Sequence, residues 1–164
     1  MLKALQSVSP FQNVDERTLS LFAELFEPFS CPEGTVIFEQ GERANFIYLL
    51  LSGKIEIRYK PYDGPPITVT NLSKGHFFGW SAVIGNPTYT SGAVCKKDCI
   101  AIRMRNIDLY DFCVREPEAG CLILDLLAQS VSNRWKNAHD QIHSLLNSRL
   151  ATNNCRIKPV KEER

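Results

Sequence analysis

Between Val36 and Arg105 the chain is a succession of short β-prone segments, each closed by Gly, Pro or Asp turn signals. "VIF", "FIYLLL", "KIEIRYK", "ITVTNL", "SGAVC" and "CIAIRMR" follow one another at close spacing. Ile55, Ile57 and Tyr59 fall on one face of their segment and Lys54, Glu56 and Arg58 on the other, and Ile100, Ile102 and Met104 alternate in the same way. Such segments bury one face each, so they predict a mainly β fold, a jelly roll or barrel-like sandwich. The Ser52-Gly53 pair and the "KKD" between Cys95 and Cys99 read as turns that separate neighbouring strands.

Helical periods flank this region. "NVDERTLSLFAELF" sets Asn13 and Glu16 at N-cap and N3 spacing and then Leu19, Phe22, Ala23 and Phe26 at helical intervals. A short helix is expected from Asn106 to Glu116, and Pro117 suits the first turn of a long one. Along that helix, over about 117–146, Leu124, Ala128, Val131, Trp135, Ala138, Ile142 and Leu145 recur at alternating intervals of four and three, a coiled-coil seam of about three heptads. A seam this narrow predicts a homodimer, against the alternative of a helix lying on its own barrel. The chain of 164 residues is expected to form one domain over 1–147, followed by a flexible basic tail over 148–164.

Net charge is +1, yet the stretch from Asn147 carries five Lys or Arg against two Glu, which leaves the rest at −2 and unlike a nucleic-acid surface. No leader pattern and no apolar run of about 18 residues is present, so a cytoplasmic location without a membrane span is expected. The six cysteines sit in a core-rich chain and read as small buried hydrophobes rather than a disulfide framework.

The amphipathic helix, the Gly-punctuated strands, "PEGTVIFEQGE", "FIYLLLSGKIEI", "LSKGHFFGW", the Pro87 loop and the terminal helix together resemble the cyclic nucleotide-binding domain family. The resemblance runs from about Leu2 to Leu146 and implies a double-stranded β-helix with N-terminal helices and a long C-terminal helix. It places Gly34, Gly41, Gly53, Gly75 and Gly79 at turns between strands, where positive φ is useful. It also implies a phosphate-binding cassette after Phe78-Gly79, in which N–H groups at the start of a short helix face a cyclic phosphate.

The family completes that cassette with a Glu after the Gly and an Arg after the Pro. Here Trp80 stands at the first position, Thr88 or Tyr89 at the second, and no Lys or Arg occurs between Lys74 and Lys96. A phosphate would be held by the N–H groups of Trp80, Ser81, Ala82 and Val83 and by the hydroxyls of Ser81, Thr88, Tyr89, Thr90 and Ser91. Losing the charge-assisted pair weakens binding of cAMP or cGMP by roughly 1.5–3 kcal/mol, one to two decades. Trp80 either stacks on a planar ligand or fills the pocket, and both orientations are open.

Other motifs carry less. "HDQIH", His139 to His143, spaces two imidazoles one helical turn apart but reads as surface beside the seam, so no metal is expected. Cys95 and Cys99 would face each other across a hairpin, where a redox pair is conceivable. The cysteine and histidine positions suit neither an iron-sulfur cluster nor haem, "GWSAV" is an incomplete nucleophile elbow, and no catalytic set emerges. The 18 residues from Asn147 are too few for a helix-turn-helix, so direct DNA binding is not expected. The chain is expected to be a non-enzymatic regulatory domain that binds a small ligand at residues 78–83 and 87–91 and signals to an unknown protein partner through a dimer. The alternative is a ligand-free interaction module with a degenerate pocket.

Overall fold

In the computed structural model, which describes residues 1–132, the two most apolar strand regions each form one long strand. Six strands are present: β1 (Glu27–Cys31), β2 (Val36–Phe38), β3 (Phe46–Tyr59), β4 (Ile67–Leu72), β5 (Phe77–Phe78) and β6 (Gly92–Arg105). All pairings are antiparallel, in the order β1-β6-β3-β4, with β2 added to β6 and β5 to β3. This is the expected jelly-roll arrangement, with two corrections to its strand boundaries. "FIYLLL" and "KIEIRYK" run on through Ser52-Gly53, and "SGAVC" and "CIAIRMR" run on through "KKD", which is not a hairpin turn. Gly53, at φ 96°, bends β3 within its ladder, and bulges between Leu50 and Ile55 absorb the extra residues. The other turn glycines, Gly34, Gly41, Gly75 and Gly79, also have positive φ.

The unbroken apolar run of β3 follows from burial on both faces. Ile47 and Leu49 of β3, Ile102 and Met104 of β6 and Phe77 of β5 point toward a helical layer. Their neighbours Tyr48, Leu50, Ala101 and Phe78 point into the roll. Period two therefore sorts adjacent apolar residues into two cores rather than into core and solvent.

The helical layer begins with α1 (Leu2–Gln6) and a 3-10 turn, Ser9–Phe11. Helix α2 (Glu16–Leu25) starts two residues later than the Asn13 cap predicts: Asp15 is the N-cap and accepts the Thr18 N–H at 3.0 Å. An acceptor adjacent to the helix outcompetes one further upstream, because the cap must reach N2 or N3. Phe11 meets Phe22, Phe26 and Phe77 edge-on at 6.1–6.3 Å. Helix α3 (Asn106–Arg115) follows β6, tied by Asn106 N–H to the Asn45 carbonyl at 2.9 Å. It buries Leu109 and Phe112.

Helix α4 is described over 117–132, with Pro117 in its first turn as expected. Ile123 and Leu127 pack in the helical core, whereas Leu124 is 40% exposed. The chain divides into two units, Met1–Leu127 and Ala128–Arg164, and the fold described is that of the first. Trp135, Ala138, Ile142, Leu145, the "HDQIH" segment, Cys155 and the 148–164 tail lie outside the described residues. Among those described, no helix is long and apolar enough to cross a membrane.

Glu56, assigned by alternation to the polar face of its strand, is instead buried. Its carboxylate accepts from the Thr68 hydroxyl across the β3–β4 ladder and from Arg58 at 2.7 Å, with Lys96 at 3.6 Å. The Thr68 bond first, then Arg58 and Lys96, hold its pKa down to about 2. Because the folded value lies below the unfolded one, this contribution is complete above about pH 5 and is lost as pH falls toward 2. Glu56→Gln should lose about 1–2 kcal/mol at pH 7 and show a shallower decline on acidification than the parent, measured by urea unfolding across pH 2–7.

Candidate functional site

Phe77 and Phe78 pair with Leu49 and Tyr48 and deliver the chain to Gly79 at the rim of the roll. Gly79 is left-handed, φ 82°, and a Cβ there would stand 2.7 Å from the Phe46 carbonyl oxygen and 3.2 Å from the Tyr48 ring. Only a residue without Cβ makes this reversal at this distance. A single 3-10 turn, Trp80–Ala82, follows, and the loop returns through Pro87 to β6.

The loop is closed by its own bonds. Ala82 and Val83 donate to the carbonyls of Gly79 and Trp80 at 3.2 and 2.9 Å. Of the four N–H groups expected to face a phosphate, those two are engaged within the turn. Among the described residues, Trp80 and Ser81 N–H have no partner, as is usual for the first residues of a helical turn. Asn86 N–H donates to the Ser81 carbonyl at 3.1 Å, and the buried Ser81 hydroxyl accepts from Thr90 N–H at 3.3 Å. The 41–44 loop clamps the other side: Gly41 and Ala44 donate to Tyr89 and Pro87 carbonyls, Tyr89 donates back to Glu42, and Arg43 bridges Thr88.

The expected site residues separate into three groups. Trp80 turns to the helical side: its Nε1 donates to the Phe77 carbonyl at 3.2 Å, its ring lies 5.9 Å from Phe77, and Val83 packs beside it. It therefore neither lines nor plugs the roll interior. Pro87, Thr88 and Thr90 are exposed, with Ser91 half-buried. Phe78, Ser81, Ala82 and Tyr89 are buried, three of them in the roll core.

Tyr89 decides the character of the interior. Only 4% exposed, it stacks on Phe38 at 3.7 Å between ring centroids, 17° from parallel. Its hydroxyl donates to the Phe46 carbonyl at 2.8 Å and accepts the Phe46 N–H at 3.1 Å. Tyr48 stacks on Phe78 at 4.8 Å beside it. Burial raises the pKa of both tyrosines, so both stay neutral. An aromatic stack of the roll core thus lies against the Gly79 reversal.

Phe38, Tyr48 and Arg103 complete the site and were not selected from the sequence. Arg103 lies over the Phe46 ring at 4.2 Å and the Phe29 ring at 5.2 Å, and pairs with Glu27 at 2.5 Å. No local signal marks it, because its partners come from β1, a strand without alternation, and from β3.

Residues 28–116, more than half of the chain, match the profile of the cyclic nucleotide-binding domain. The chain belongs to this family.

The cyclic nucleotide-binding domain is 25% identical over 141 residues to the CRP-like cAMP-activated global transcriptional regulator of Mycobacterium tuberculosis, covering 86% of this chain and 63% of that one. Among solved structures it resembles a Geobacter metallireducens protein described as cyclic nucleotide-binding (26% identity, 81% and 96% coverage, TM-score 0.70). It also resembles the catabolite activator protein of Thermus thermophilus (25%, 84% and 63%, TM-score 0.67). The chain spans about three fifths of the length of the M. tuberculosis regulator. The cGMP-dependent protein kinases that it matches are covered over 8–17% of their length.

Two glycines of this domain's cassette separate backbone strain from close approach. Gly85 has φ 83° with nothing within 4 Å of an added Cβ, unlike Gly79. Gly85→Ala should lose about 1–2 kcal/mol from its conformation alone. Gly79→Ala should lose at least about 1 kcal/mol more, both read by denaturant unfolding.

Proposed function

We propose that this cyclic nucleotide-binding domain is a regulatory interaction module whose interior takes no cyclic nucleotide, and that it acts as a homodimer. The single observation that carries the first part is the Phe38–Tyr89 stack inside the Gly79 reversal. For a nucleotide to enter, Tyr89 must leave. That exposes a ring whose burial is worth about 1.5–3 kcal/mol and breaks two hydroxyl bonds worth about 1 kcal/mol each. The sum of roughly 3.5–5 kcal/mol lowers affinity by about two and a half to three and a half decades, in addition to the missing Glu and Arg. The sensor reading keeps the free N–H groups of Trp80 and Ser81 in its favour, but two neutral donors do not offset that penalty.

The dimer part is supported by α4. Ile123 and Leu127, with Ala119 and Leu126, pack toward the helical core, which leaves the seam residue Leu124 exposed beside Ile107 and Tyr110 of α3, both more than half exposed. A groove of about 400 Å³ joins Ala82 and Val83 of the cassette to Tyr110 and Leu124, so a partner seated there would touch both elements.

Thermal unfolding of the full chain with millimolar cAMP or cGMP tests the first part. No shift with either is expected. A rise of several degrees, the signature of a ligand far above its dissociation constant, would overturn the reading in favour of the sensor. Sedimentation velocity tests the second: the parent should sediment as a dimer and Leu124→Glu as a folded monomer, and a monomeric parent refutes it.

A further inference from the structure

At the end of the roll away from the cassette, strand pairing brings together three cysteines that are far apart in the chain. Cys31 closes β1 opposite Cys99 of β6, and Cys95 lies four residues earlier on β6, opposite Ile55. All three are buried, and their sulfurs lie within 4.8 Å of one another, with Cys31 and Cys95 Sγ at 2.7 Å. Gly53 makes this convergence possible: a Cβ on it would stand 2.6 Å from Cys99 Sγ and 2.4 Å from the Asp98 carbonyl oxygen. A cavity of about 350 Å³ opens onto Cys31, Cys99, Ser52 and Asp98. Lys54 and Lys97 stand opposite each other in the β3–β6 register, and their carbonyls accept from the Cys99 thiol at 3.5 and 2.9 Å.

We propose that Cys31, Cys95 and Cys99 form a trithiolate site for a single soft metal ion, Zn(II) or Cu(I). A metal–sulfur bond of about 2.3 Å places three ligating sulfurs roughly 3.8–4.0 Å apart, so the cluster closes with shifts of about an ångström. An all-thiolate donor set selects these ions over hard cations. Each thiol that binds releases one proton to solvent as its metal–sulfur bond forms, with no change of oxidation state. Zinc takes its fourth ligand as water from the cavity, whereas Cu(I) is complete with three sulfurs.

The test uses the full chain, reduced and stripped of metal without oxygen, then given one equivalent of Zn(II) or Cu(I), desalted and assayed for metal by mass spectrometry. One ion per chain should be retained, and alkylation of Cys31, Cys95 and Cys99 should be at least tenfold slower in the loaded chain than in the metal-free chain, with the exposed Cys121 modified at the same rate in both. Cys31→Ser and Cys95→Ser should each weaken retention at least tenfold against a competing chelator, and Cys121→Ser should not. Because a buried substitution can unfold the domain, the alkylation map of the parent chain stands as a separate criterion. Retention of zinc alone identifies the water-completed site and of Cu(I) alone the three-coordinate one. Retention of neither, equal alkylation rates at the three cysteines with and without metal, or a Cys31–Cys95 disulfide in a chain whose reduced form holds no metal overturns the proposal.

Discussion

The antiparallel pairing of β3 with β6 is the constraint on which the other elements rest. The two strands stay in register contact from Phe46 opposite Arg105 to Arg58 opposite Gly92, and every other strand attaches to one of them. Each strand presents large apolar side chains on both faces, at about 1.5–3 kcal/mol per buried side chain, so neither is stable as one wall of a half-solvated sheet. The helices are recruited to cover Ile47, Leu49, Ile102 and Met104, while the roll closes over Tyr48, Leu50 and Ala101. Gly53 is the local condition for this pairing, since a side chain there would collide with Cys99 across the ladder.

The same two-sided alternation shapes the cassette. Phe77 belongs to the helical core and Phe78 to the roll, and the Gly79 reversal sends Trp80 back to Phe77's side. The short turn after Gly79 is consequently anchored to the helical layer by Trp80 and Val83, while Tyr89 anchors the return of the loop inside the roll. The return of the loop has little freedom to open, because moving Tyr89 exposes a buried, stacked ring.

These placements explain what was legible in the sequence. Turn glycines and the start of α3 are set by local geometry, and the residues alone indicate them; the alternation in β6 holds for Ile102 and Met104, whereas Ile100, expected on the same face, is 57% exposed. The merging of strands across Ser52-Gly53 and "KKD" was not legible, because a Gly in a bend and a Gly in a turn look the same until the partner strand is known. Glu56 was misassigned for a related reason: its bond partners Thr68 and Lys96 sit on two other strands. The cassette's outline was readable from Phe78-Gly79 and Pro87, and so was the absence of the usual charges. The direction of Tyr89 was not, since it depends on Phe38, which reaches it only through the sheet, and that of Trp80 depends on which core Phe77 joins, which the partner strand decides. Cys31 escaped notice as a partner of Cys95 and Cys99 because it lies 64 residues from Cys95 along the chain.

Under the proposed reading, in which the interior takes no cyclic nucleotide, the fold keeps a regulatory use and its input is relocated. A conformational equilibrium shifts only when something binds one arrangement better than another. In a domain whose interior is occupied by Phe38, Tyr48, Phe78 and Tyr89, the surfaces still able to discriminate between arrangements are those at its edge. The apolar face formed by Ile107, Tyr110 and Leu124 is one, and it shares a groove with Val83 of the turn after Gly79. A partner on that face would bear on the same helical core that holds Trp80 and Phe77, so the route that carries a ligand signal outward in a sensor would here carry a partner's signal inward.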